Sequence, residues 1–125
     1  MERKVFLRLV AGILPAATIA CKGEDLAEAS ANFDLSKFPL ILQSVSKLVD
    51  SGFGEEQVRS LGDLAKRTPP GESRMQEFPI TMGRRKLLLR IEFKRDDEDA
   101  VDVWFFTAPE LAKLIQRRII EIAEQ

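Results

Sequence analysis

The chain has 125 residues, the length of one domain, and its 45% apolar and 31% charged residues are typical of a globular protein. Lysine and arginine (19) almost balance aspartate and glutamate (20), so the chain has no overall basic field to hold nucleic acid. One cysteine excludes an intramolecular disulfide and a cysteine-rich zinc site, and the lack of histidine removes the commonest general base and metal ligand.

The N-terminal segment has the layout of an export signal. Arg3, Lys4 and Arg8 are followed by an uncharged run over residues 9–20, which is too short to span a bilayer core of about 30 Å as a helix. A positive start, a short apolar run and small residues at its end are typical of a secretory signal peptide. The sequence therefore predicts a signal peptide over residues 1–21.

The end of that segment, Ala17-Thr18-Ile19-Ala20-Cys21, resembles the lipobox of bacterial lipoproteins, which are cleaved just before a cysteine that carries the lipid. The resemblance covers residues 1–21 only. It implies lipidation at Cys21, and the residue after it, Lys22, favours the outer membrane because an aspartate there is the usual inner-membrane retention signal. Residues 22–33 are small and polar, which predicts a tether between the membrane and a single domain over residues 34–125.

The same N-terminal residues allow a second interpretation. In this interpretation, residues 2–20 are a structural helix of a cytosolic protein and Cys21 is a buried thiol. Pro15 argues against a straight helix through this run.

Two helices are predicted ahead of a sheet. The first starts at about Lys37, capped by Asp34 or Ser36, and ends near Gly52, a natural left-handed cap. The second runs from about Glu55 to Lys66, where the Thr-Pro-Pro-Gly stretch stops it.

The stretch Leu87–Phe93 alternates apolar and charged residues, which predicts the central strand of a three-stranded antiparallel meander. A two-residue turn at Gly83-Arg84 pairs Met82 with Arg85, Ile80 with Leu87 and Phe78 with Leu89. Pro79 makes the strand before this turn an edge strand, because proline has no N–H to donate.

The third strand carries Val101, Val103 and Phe105 on its buried face. Thr107 to Glu110 reads as a capping box for a C-terminal helix that ends at about Ala123. The predicted fold is therefore α+β: two helices, a three-stranded antiparallel meander and a C-terminal helix packed on the sheet.

The candidate functional residues lie around the meander. Leu88, Trp104 and Phe106 make its second face partly apolar, and we expect a helix to cover them, the alternative being an exposed patch that binds a partner. The basic residues near this face are candidates for contact with a partner or an anion: Arg84, Arg85, Lys86 and Arg90. The alternative is that they only keep the turn and the strand face solvated.

No catalytic residue, metal site or cofactor is predicted. The run Asp96–Asp99 lacks the spaced aspartates and central glycine of a calcium loop, and Glu92 and Asp102 fall on a charged strand face where carboxylates are normally solvated. The chain also has no Gly-rich phosphate loop. We therefore predict a binding protein rather than an enzyme that uses carboxylates and arginines.

The sequence predicts a non-enzymatic protein-binding module of the bacterial cell envelope, lipid-anchored and acting as an accessory, assembly or inhibitor and immunity-type protein. Its partner is another protein, with membrane contact through the lipid only. The alternative is a cytoplasmic interaction protein of a phage or toxin system, which retains residues 2–20.

Overall fold

The computed structural model describes residues 6–11, 26–97 and 99–124, with side chains over residues 26–96 and 99–124. The strands are β1 (Phe6–Ala11), β2 (Ala27–Asp34), β3 (Ser73–Met82), β4 (Arg85–Asp97) and β5 (Ala100–Thr107), and the helices are α1 (Phe38–Ser46), α2 (Glu55–Arg67) and α3 (Pro109–Ala123).

The α+β class is confirmed, but the predicted three strands are corrected to five in the described residues, which form an antiparallel sheet of order β1-β2-β5-β4-β3. The three helices pack on one face of it. The ring of Phe38 at the start of α1 lies 5.4 Å from that of Phe93 on β4, and α3 contacts both α1 and β2. Apolar side chains of both layers form one core, with these members fully buried: Ala29, Phe33, Phe38, Leu42, Val45, Leu61, Ala65, Leu89, Ile91, Phe93, Val101, Val103, Phe105, Leu111 and Ile115.

The predicted meander β3-β4-β5 and its register are confirmed. The hairpin turns at Gly83, whose φ is +65°, and pairs Met82 with Arg85, Ile80 with Leu87 and Phe78 with Leu89. Strand β3 is an edge of the sheet. The alternation of apolar and charged residues therefore determined both the register and the buried face of this hairpin.

The tether predicted over residues 22–33 is wrong from Ala27 onwards. Residues 27–34 form β2, which pairs with β5 along its whole length, so the domain starts before residue 34. Ala27, Ala29 and Ala31 alternate into the core, at most 5% exposed. As a further correction, the centre of the sheet is β5 and not the stretch Leu87–Phe93.

The backbone of residues 6–11 pairs antiparallel with β2, with Leu9 opposite Ala29. The helix expected over residues 2–20 in the cytosolic interpretation is therefore wrong for this segment. Cys21 and the predicted cleavage point lie outside the described residues, so signal-peptide cleavage and lipidation stay predictions.

Two predicted helix caps are also wrong. A 3₁₀ turn over Leu35–Lys37 precedes α1, so Lys37 rather than Asp34 or Ser36 is its N-cap. The N-cap of α3 is Ala108, because the hydroxyl of Thr107 donates to the carbonyl of Leu88 on β4 at 2.8 Å instead of capping the helix. At Thr107 the contact with β4 replaces the local capping hydrogen bond, and at α1 the 3₁₀ turn moves the start of the helix past Asp34 and Ser36.

Arg95 is buried near the end of β4, with 5% of its surface exposed. Its guanidinium donates to the carbonyl oxygens of Ala65 at 2.9 Å and Thr68 at 3.2 Å, at the C-terminal end of α2. A cation is stabilised there because the last carbonyls of a helix carry partial negative charge. This contact fixes α2 to the sheet.

The loop after α1 is fixed to β3 by backbone hydrogen bonds. The N–H of Asp50 donates to the carbonyl of Thr81 at 2.8 Å, and the N–H of Thr81 donates to the carbonyl of Ser51 at 3.1 Å. Gly52 follows with a φ of +94°, so its predicted left-handed conformation is confirmed, but it does not cap α1, which ends at Ser46 with Lys47 as its C-cap. None of the helices in the described part of the chain has the length and the apolar run needed to cross a bilayer.

Candidate functional site

One face of the sheet has no helix on it among the described residues. It carries four of the predicted partner-binding residues: Leu88 and Arg90 on β4, and Trp104 and Phe106 on β5. All four are half-buried, while the residues that alternate with them are buried under the helices. No helix of the described residues covers this end of the sheet, and the expectation that a helix does so stays a prediction. We call this surface, which also includes Glu92, the open face.

The strand register brings these side chains together. Arg90 lies opposite Phe106, and Glu92 lies opposite Trp104. The Arg90 guanidinium carbon is 5.7 Å from the centre of the Phe106 ring, within the range of a cation–π interaction. Its Nη2 is 3.5 Å from the Glu92 carboxylate. Arg90 thus has an aromatic ring and a carboxylate as neighbours within the open face.

The other two predicted site residues lie outside the open face. Arg85 alternates towards the helix layer, where its guanidinium donates to the carboxylate of Glu110 at 2.6 Å, in the first turn of α3. This contact holds the pKa of the Glu110 carboxyl below its usual value. Arg84 is exposed in the hairpin turn. The four basic residues named from the sequence therefore do not form one anion site.

The open face extends further than the sequence predicted. Met75 on β3, opposite Glu92, leaves 44% of its surface exposed. On the same side of β2, Ser30 lies opposite Trp104 and the side chain of Asn32 donates to the carboxylate of Asp102 at 2.6 Å, but both residues are buried, with 6% and 8% of their surface exposed. The β2 residues were missed because the segment was interpreted as a tether, and its inward-facing alanines do not distinguish a strand from a linker.

The helix side has a shallow groove of about 240 Å³ between α1 and α2, lined by Pro39, Val58 and Gly62 together with charged residues. The Glu55 carboxylate at its rim is exposed and pairs with Arg59 at 3.4 Å. Within the described residues no three acidic or cysteine side chains group as metal ligands would.

Comparison with models of protein families, with characterised proteins and with solved structures gives no match to this chain.

Proposed function

We propose that this protein is a non-enzymatic protein-binding module and that its open face contacts the partner. The observation that carries the proposal is the pair Trp104 and Phe106, standing side by side on a sheet face without a covering helix among the described residues. Large aromatic side chains dominate the energetics of protein interfaces because they bury much area at low entropic cost. An antiparallel sheet often leaves one face to solvent, but that face is then normally polar.

We further propose that the module is exported to the bacterial envelope and anchored by lipid at Cys21, as an accessory, assembly or inhibitor-type protein. The support is the arrangement of residues 1–21, with three cations, an uncharged run and a small residue before the cysteine. Lipidation at one cysteine would place the domain next to the membrane without a spanning helix.

A second candidate is a cytosolic interaction protein that keeps its N-terminal residues. The pairing of β1 with β2 favours it, because cleavage before Cys21 would remove β1 and leave the β2 backbone without that partner. The open face has the same role in both candidates.

The mass of the intact protein purified from its host separates the two. Export predicts a chain that starts at Cys21 and carries the added mass of a diacylglycerol group. The cytosolic candidate predicts an unmodified chain that retains residues 6–11. Either mass refutes the other candidate.

The binding role is tested by photo-crosslinking in the host. A photoreactive phenylalanine analogue replaces Met75, which is exposed on the open face, and a control chain carries it at Ser60, which is exposed on α2. We expect a discrete crosslinked product from position 75 that is absent from position 60 and that Trp104→Ala abolishes. The same products from both positions would contradict the proposed surface.

A further inference from the structure

The charges around the aromatic pair are mostly negative. The side chains that lie around Trp104 and Phe106 on strands β2 to β5 include these carboxylates: Glu28, Glu77, Glu92, Asp96 and Asp102. The cations on the same strand faces are Lys86, Arg90 and Lys94. A surface with this excess attracts cationic groups and repels anionic ones.

Two of these three cations, Arg90 and Lys94, have acidic neighbours on this surface. Arg90 lies 3.5 Å from the Glu92 carboxylate and directly opposite Glu77 on β3. Lys94 lies opposite Asp102 on β5. The cations therefore offset charge inside the surface, and the acidic excess is what an approaching molecule meets.

Trp104 lies in the middle of this arrangement. Ser30 and Glu92 are its neighbours across the two adjacent strands, and Asp102 and Phe106 precede and follow it on the same face of β5. An indole is the best aromatic partner for a lysine or arginine side chain, and carboxylates beside it add attraction for the same cation. Phe106 and Leu88 next to it offer apolar contact.

We infer that the open face docks a basic segment of a partner protein, in which lysine or arginine residues alternate with apolar ones. A cationic side chain lies on the indole of Trp104 between Glu92 and Asp102. The apolar residues of the segment pack on Phe106 and Leu88. This inference rests on the proposed binding function and adds the chemistry of the partner to it.

Fluorescence tests the inference directly, since the chain has one tryptophan and no tyrosine, so its emission reports from the open face alone. The full chain is titrated with a short peptide of alternating lysine and leucine, and separately with one of alternating glutamate and leucine. We expect a saturable change in Trp104 emission with the lysine peptide only. Its affinity should fall about tenfold from low to high salt, because salt screens exposed charges.

The double variant Glu92→Gln and Asp102→Asn removes two carboxylates and keeps the oxygen that accepts from Asn32. We expect it to bind the lysine peptide about tenfold more weakly. The matched control, Glu56→Gln with Asp63→Asn, removes the same charges from exposed positions on α2 and should bind as the unaltered chain does. Far-ultraviolet circular dichroism confirms that both variants are folded.

Equal or tighter binding of the glutamate peptide, no saturable change with the lysine peptide, or equal weakening in the two double variants would each overturn the inference. The salt titration uses the unaltered chain, so it tests the inference even if the Glu92 and Asp102 variant does not fold. If the crosslink from position 75 forms but the lysine peptide does not bind, the binding function is retained and the basic partner is rejected. If the crosslink also fails, both proposals fall.

Discussion

Replacement of Gly52 by alanine should destabilise the domain far more than the same change at Gly71. Both glycines have a positive φ, +94° and +88°, so alanine costs about 1–2 kcal/mol of backbone strain at either position. The surroundings differ. A Cβ at Gly52 would lie 2.1 Å from the carbonyl oxygen of Pro79 and 2.8 Å from the Cα of Ile80, whereas a Cβ at Gly71 meets nothing within 4 Å.

The clash at Gly52 is with backbone, which has no alternative rotamer, so the loop has to move away from β3. That movement breaks the two backbone hydrogen bonds between the Asp50-Ser51 segment and Thr81, each worth about 0.5–1.5 kcal/mol. We expect Gly52→Ala to lower the free energy of unfolding by about 2–5 kcal/mol and Gly71→Ala by about 1–2 kcal/mol.

Urea unfolding followed by Trp104 emission and by circular dichroism gives both values from the midpoint and the slope. Gly71→Ala is the matched control, since it shares the strain and lacks the clash. Costs that agree to within about 0.5 kcal/mol, inside the usual scatter of such measurements, would refute the argument that the Pro79 carbonyl enforces glycine at position 52.

Arg95→Met should lower the free energy of unfolding, measured in urea, by about 2–4 kcal/mol, because it leaves the last carbonyls of α2 without their charged donor. The control Arg74→Met removes an exposed ion pair and should lower it by less than about 1 kcal/mol. Similar costs for the two would contradict the structural role of Arg95. By carboxyl NMR, Glu110 should titrate below its ordinary pKa, and Arg85→Gln should raise that pKa. Since the folded-state pKa is the lower one, the contribution of this pair to stability is present above the ordinary carboxyl pKa and is lost as pH falls through the lowered value. An unchanged titration in Arg85→Gln would show that the pair does not persist in solution.

The β3–β4 hairpin could be predicted from sequence because its information is local. Alternation sets the face of each strand, and Gly83 sets the turn, so the register has one solution. The pairing of β2 with β5 had no such local signal. Its inward residues are alanines, which are as common in linkers and helices as in strands, and their burial depends on a strand far along the chain.

The expectation that a helix covers the open face has a related origin. Strands lie about 4.8 Å apart and packed helices about 8–10 Å apart, so a three-stranded sheet is too narrow to hold three helices side by side. With three strands, one helix should cover the second face. Five strands make one face wide enough for all three, and Trp104 and Phe106 are left without a covering helix among the described residues. The alternation of residues identified the candidate side chains. The width of the sheet, which decides where the helices pack, depends on two strands that the alternation did not predict, β1 and β2.

The pairing of β2 with β5 also affects when the domain can fold. Asn32 donates a hydrogen bond to Asp102, which lies 70 residues further along the chain. The central strand of the sheet, β5, is the last of the described strands to be synthesised. The chain loses the entropy of closing this long loop before the stabilising contacts form, and this slows folding. The nascent chain therefore cannot complete its sheet while the ribosome still holds β5. Until β5 has left the ribosome, the chain stays open and accessible to chaperones and to any machinery that handles unfolded polypeptides.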